Sequence, residues 1–117
     1  MTRATLVAVG VACAISSAPA FAASSYVQVV EREYSLVLSR PSVGAGAVPI
    51  EALNLGMDAH NLVVGRRAGG PVLARMPKLF HGALASRIVR LTPGRYVLWC
   101  TLPGHRARGM RATLVVR

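Results

Sequence analysis

The chain has 117 residues, 53% hydrophobic and 15% charged, with 14 Lys+Arg against 4 Asp+Glu for a formal charge of +10. That length fits one domain and excludes a multidomain enzyme, while the apolar content supplies a core and excludes a disordered chain. Only 5% of the residues are aromatic, too few for the stacking platforms of a single-strand nucleic-acid binder, and nucleic acid is not an expected partner.

Residues 1–22 read as a secretory leader. Arg3 is its positive start, residues 4–15 form a short apolar run, and Ala20-Phe21-Ala22 is a small-residue cleavage signal. The run is too short to span a bilayer. Cleavage after Ala22 leaves residues 23–117 as the mature domain, periplasmic or secreted, and loss of Arg3 brings the formal charge to +9. A lipoprotein anchored at Cys13 is the rival reading, disfavoured by Gly10 three positions earlier. Without Cys13, Cys100 stands alone and no internal disulfide is available, so stability must come from packing. An unpaired thiol in an oxidising compartment needs burial, a partner or a metal to protect it.

The mature chain reads as all-β. Segments 26–30, 33–38, 48–54, 61–64, 86–91, 95–100 and 111–116 carry β-branched residues with partial alternation. Turn signals separate them at Arg40-Pro41, Gly44-Ala45-Gly46, Gly69-Gly70-Pro71 and Thr92-Pro93-Gly94. Seven or eight short strands in one domain predict a Greek-key β-sandwich, with residues 73–84 ambiguous and open to a helical turn. In Leu91-Thr92-Pro93-Gly94-Arg95-Tyr96, a Pro-Gly turn leads to a Tyr at the head of an apolar strand. That reads as a tyrosine corner, the phenol bonding back to upstream backbone.

The chemistry follows the strand that ends at Trp99. Cys100, His105 and Met110 lie on one short loop with four residues between successive members, and His60 opens an upstream strand. Taken singly, each has an ordinary explanation: a core or surface histidine, a packed methionine, a buried inert thiol. Together, two imidazoles, a thiolate and a thioether make a mixed soft donor set that suits copper in both oxidation states. Zinc would accept the Cys and His ligands but gains little from Met. His81 stands apart from both segments and is expected to be a loop histidine outside the site.

The run from Pro93 through Cys100-Thr101-Leu102-Pro103-Gly104-His105 to Gly109-Met110, with Asn54-x-Gly56 and His60-Asn61 upstream, resembles the signature of the cupredoxins, or type 1 blue copper proteins. The Cys-x4-His-x4-Met spacing is similar to that of the auracyanin- and rusticyanin-like members, and azurin-like members have a comparable Cys-Thr-x-Pro-Gly-His run. The resemblance implies a sandwich with one copper at one end. His60, Cys100 and His105 would be its equatorial ligands and Met110 its axial one. It also implies supporting roles for Asn61 and Thr101, which would tie the two ligand loops together, and for the Leu102 N–H as a donor to the thiolate.

Where members of that family often surround the exposed ligand His with apolar residues, this chain has Arg106 and Arg108, with Arg111 beyond and Arg66-Arg67 after the first ligand strand. A field of that sign would steer an acidic redox partner or an anionic membrane surface to the copper end. The expected function is a monomeric single-electron carrier. A copper-delivery protein is the alternative, although such a site would more often carry a Met-rich or exposed His tract. An enzyme such as a multicopper oxidase would need further His pairs, and the chain has three His in all.

Overall fold

A computed structural model describes residues 10–17 and 26–117; the cleavage signal at residues 20–22 lies outside them. No helix among the described residues is long and apolar enough to cross a membrane. The described residues form nine strands: β1 Val27–Arg32, β2 Ser35–Leu38, β3 Ser42–Val43, β4 Gly46–Asn54, β5 Val63–Gly65, β6 Val72–Arg75, β7 Leu84–Leu91, β8 Gly94–Trp99 and β9 Arg111–Val116. They make two sheets, one in the order β2-β1-β4-β7 and the other β3-β9-β8-β5-β6. Both are mixed, because β1 pairs with β4 and β3 with β9 in parallel.

Period-two patterning decides which faces meet. In β1, Val27 and Val29 point inward while Gln28 and Val30 are half-buried, and in β4 Val48, Ile50 and Ala52 do the same. They face Tyr96 and Leu98 of β8 and Leu114 and Val116 of β9 in one continuous core. Burying a side chain such as Ile50 contributes about 1.5–3 kcal/mol. β7 shows the opposite balance: only Val89 and Leu91 are buried, Ala85 packs partly against the core, and Ile88 is 69% exposed. With no disulfide among the described cysteines, this apolar layer holds the sheets together.

Seven of the strands fall where the sequence places them, within a few residues at each end. β3 and β6 were not anticipated. β3 is two residues long, and its pairing with β9 brings together positions more than 70 apart in sequence, which no local pattern encodes. The ambiguous stretch from 73 to 84 contains no helical turn: Val72–Arg75 is an edge strand against β5, and Leu79 forms an isolated bridge with His60.

The tyrosine corner is present. Tyr96 Oη donates to Thr92 O at 2.8 Å and accepts from the Thr92 N–H at 3.1 Å. Arg66 closes over it, its guanidinium 4.1 Å from the Tyr96 ring centroid and one nitrogen 3.0 Å from Thr92 Oγ1. Gly94 lies beneath that guanidinium with a φ of +147°, and a Cβ there would stand 2.5 Å from Arg66 Nη1. Tyr96→Phe should therefore lower stability by about 1–3 kcal/mol, since it strips a buried hydroxyl from two backbone groups. Chemical denaturation of the apo protein measures this; an unchanged midpoint would deny the corner an energetic role.

Candidate metal centre

One end of the sandwich gathers four segments: the β1–β2 turn, the loop before β5, the end of β8 and the start of β9. Each ligand candidate is placed there by backbone pairing. His60 exchanges two backbone hydrogen bonds with Leu79, His60 N to Leu79 O at 3.0 Å and Leu79 N to His60 O at 2.7 Å. Cys100 N donates to Met110 O at 3.1 Å, and Met110 N to His105 O at 3.1 Å, so the 100–110 loop is closed on itself. Two glycines with positive φ, Gly104 at +78° and Gly109 at +109°, let the chain turn tightly on either side of His105.

The donors converge. His60 Nδ1 stands 3.2 Å from His105 Nδ1, and Cys100 Sγ 3.6 Å from the same nitrogen. The donor atoms of His60, Cys100 and His105 all lie within 4.8 Å of one another. Donors sharing one cation through bonds of about 2.0–2.3 Å stand about 3–4 Å apart, so the cluster has the span of a metal site. His60, Cys100 and Met110 are fully buried, and His105 is half-buried. His81 is outside the cluster, its Nδ1 2.8 Å from Gly56 O.

The loop tie is present as expected. Asn61 Nδ2 donates to Thr101 Oγ1 at 2.7 Å, and the Thr101 N–H donates to Asn61 Oδ1 at 2.8 Å. This reciprocal pair fixes the His60 segment against the Cys100 segment. The Leu102 carbonyl accepts the His105 N–H at 3.1 Å, and a bond from its own N–H to Cys100 Sγ is not among the hydrogen bonds of the described residues.

Three contributors had no role assigned from the sequence. Asn54, fully buried, donates to Asp58 O and Leu79 O, both at 2.8 Å, and accepts the Gly56 N–H at 2.8 Å. It thereby shapes the loop that delivers His60. Glu33, in the β1–β2 turn, has Oε1 3.1 Å from His60 Nε2 and accepts the Asp58 N–H at 2.7 Å. Tyr34, next to it, sets its ring edge-on to His105 with centroids 5.0 Å apart. Asn54 belonged to a recognisable motif; for Glu33 and Tyr34 nothing local indicates that a hairpin turn will land on two distant histidines.

Electrostatics follow from these contacts. Glu33 is held down to about 2, first by the Asp58 N–H it accepts, with the Met57 N–H and His60 adding to the effect. It is an anion throughout the physiological range. The His105 value is lowered, chiefly by burial and then by its neighbours His60 and Arg108, which favours the neutral ring that a metal requires.

The basic residues distribute unevenly. Arg106 and Arg108, which follow His105, are exposed, Arg106 reaching the turn at Gly69 and Arg108 lying 4.6 Å above the Tyr34 ring. Arg111 pairs with Trp99 at the same end. Arg66 does not join them, because it is committed to the tyrosine corner.

Neither protein-family models nor curated protein sequences match this chain. Solved structures do. A reduced auracyanin from Roseiflexus castenholzii superposes with a TM-score of 0.67 at 21% identity, covering 82% of this chain and 99% of that one. The fold is that of the cupredoxins. Rusticyanin from Thiobacillus ferrooxidans gives a TM-score of 0.59 at 16% identity, covering 81% of this chain and 79% of that one. A purple cupredoxin from Nitrosopumilus maritimus gives 0.57 at 19%, covering 77% and 98%. The match embraces both sheets, so on this cupredoxin fold the convergence of His60, Cys100 and His105 at one end of the sandwich is set by the whole topology and not by the 100–110 loop alone.

Proposed function

We propose that the protein is a type 1 copper protein acting as a single-electron carrier, with His60, Cys100 and His105 as equatorial ligands and Met110 as the axial one. The observation that carries this reading is the convergence of two imidazole nitrogens and one thiol within 4.8 Å; Met110, fully buried, is joined to Cys100 and His105 by backbone hydrogen bonds. Bound there, copper would supply a one-electron couple between Cu(I) and Cu(II). The donor set supports copper over zinc, because a thioether adds a soft ligand that favours Cu(I).

The chain's own residues do the rest. The Asn61–Thr101 tie keeps the two ligand loops at a fixed separation, so the donors need not rearrange between oxidation states. Burial of His60, Cys100 and Met110 excludes water, leaving the half-buried His105 ring as the edge open to a partner. That enclosure favours a resident ion over one passed on, and so a carrier over a delivery protein. A leader at residues 1–22 would place the domain in the periplasm or outside the cell, where an unpaired thiol is protected by ligation.

The test is an absorption spectrum of the purified protein titrated with Cu(II). Intense thiolate-to-copper charge transfer in the visible at one equivalent supports the reading; a colourless protein that takes up only Zn(II) overturns it.

The exposed Arg106 and Arg108 support docking of an acidic redox partner around His105. Arg106→Glu with Arg108→Glu should reduce the association rate with such a partner by about tenfold or more at low salt. The loss should shrink as ionic strength rises and screening sets in over about 8 Å. Stopped-flow rates across a salt series, read with the potential of each variant, measure it. A rate indifferent to both mutation and salt would move docking to another face.

A further inference from the structure

The β1–β2 turn is not part of the ligand loops, yet its one acidic side chain reaches the deepest histidine. Glu33 Oε1 lies 3.1 Å from His60 Nε2, the nitrogen turned away from the donor cluster, while His60 Nδ1 faces His105. His60 is fully buried and pinned to Leu79 on both sides of its backbone, and its ring meets Glu33 at Nε2 and His105 at Nδ1. Gly56 makes the approach possible. A Cβ there would collide with Glu33 Oε1 and stand 2.9 Å from His60 Nε2.

We propose that Glu33 is a positioning residue of the metal centre: its carboxylate accepts the His60 Nε2–H, fixes the tautomer with Nδ1 free, and aims Nδ1 at the ion, with Gly56 keeping the approach open. The inference rests on the copper reading given above. The physical logic is that of a carboxylate behind a ligating imidazole. The ring proton is held on the outer nitrogen, and the anion makes the inner nitrogen a stronger donor. The negative charge also stabilises the more positive metal state. Glu33 therefore tunes the potential as well as the geometry. Two further features of the site agree with a fixed carboxylate. Glu33 Oε1 is tied to the Asp58 N–H, and the next residue, Tyr34, braces the His105 ring. One hairpin turn thus steadies both histidines.

The experiment compares the wild-type chain with Glu33→Gln, Glu33→Ala, Gly56→Ala and, as a control for a lost surface charge away from the site, Glu51→Gln. Three readouts are taken: Cu(II) affinity by competition titration, the reduction potential, and the His60 tautomer from ring nitrogen shifts of the apo protein. The wild type should hold His60 as the Nε2–H form. Glu33→Ala and Gly56→Ala should lose about 10–100-fold in Cu(II) affinity and show mixed tautomers. Glu33→Gln keeps an acceptor without the charge, so it should retain the tautomer and raise the potential. Glu51→Gln should match wild type. A residue that merely held the turn would change the melting temperature without moving the potential or the tautomer. If Glu33→Ala does not fold, Glu33→Gln decides the matter. Wild-type affinity, potential and tautomer in the Glu33 and Gly56 variants of a copper-loading protein would overturn this proposal alone. A wild type that takes up no Cu(II) would overturn the copper reading and this proposal with it.

Discussion

If copper binds as proposed, Cys100→Ser is expected to remove the intense visible absorption of the Cu(II)-treated protein and the electron transfer that depends on it. The thiol is fully buried at the end of β8, with Sγ 3.6 Å from His105 Nδ1. A serine hydroxyl has nearly the same shape there and can bond to the same nitrogen. It is a much weaker donor at neutral pH, however, and cannot give thiolate-to-copper charge transfer. The loss of Cu(II) affinity should exceed the about 10–100-fold attributed to residues that only support a ligand. The fold should persist, with stability changed by about 1 kcal/mol, because no cavity opens and the hydroxyl has a partner. Absorption, metal stoichiometry and a melting curve on the same sample separate these effects. Retention of an intense visible band would remove Cys100 from the ligand set.

The second large effect concerns a carboxyl that the site does not use. Glu31 follows Val27 and Val29 on the inward face of β1, is fully buried, and has neither oxygen hydrogen-bonded. Burial pushes it up to about 7. Between its ordinary value of 4.5 and about 7 the native protein keeps a proton that the unfolded chain has released. Stability therefore falls as pH rises across that window and levels off above it. A shift of this size corresponds to about 3 kcal/mol when the carboxylate is ionised. Glu31→Leu, similar in volume and without a charge to bury, should raise stability of the apo protein at pH 8 by about 1–3 kcal/mol. It should also flatten the decline between pH 5 and 8. Urea titrations at a series of pH values measure both. A variant that is less stable than wild type at pH 8 would show that the Glu31 carboxyl is compensated in the fold.

The sequence by itself determined the sandwich, because its information is local and periodic. Alternation in β1 and β4 marks the inner faces, the Pro93-Gly94 turn announces Tyr96 as a corner, and Cys100 five positions before His105 and ten before Met110 marks a soft donor loop. The pairing of Asn61 with Thr101 came from the family resemblance and not from local patterning, and the structure bonds the two to each other. What the tertiary structure decided lies in contacts between segments far apart in the chain. Only the parallel pairing of β3 with β9 reveals β3, and only the bridge between His60 and Leu79 explains the irregular stretch before β7. Arg66 looked like part of a basic metal end until the antiparallel register of β5 and β8 carried it to Tyr96. The Leu102 carbonyl that accepts the His105 N–H depends in the same way on the turn at Gly104. Glu33 is the sharpest case. In a chain of charge +10 it is one of four acids, and nothing around it in sequence distinguishes it from Glu51. Its meaning comes from a two-residue hairpin turn and a glycine 23 positions later, which together bring a carboxylate to a buried imidazole. Local patterning fixes which faces are apolar; the position of one side chain against another across the sheets depends on register and turn geometry, and those are properties of the folded whole.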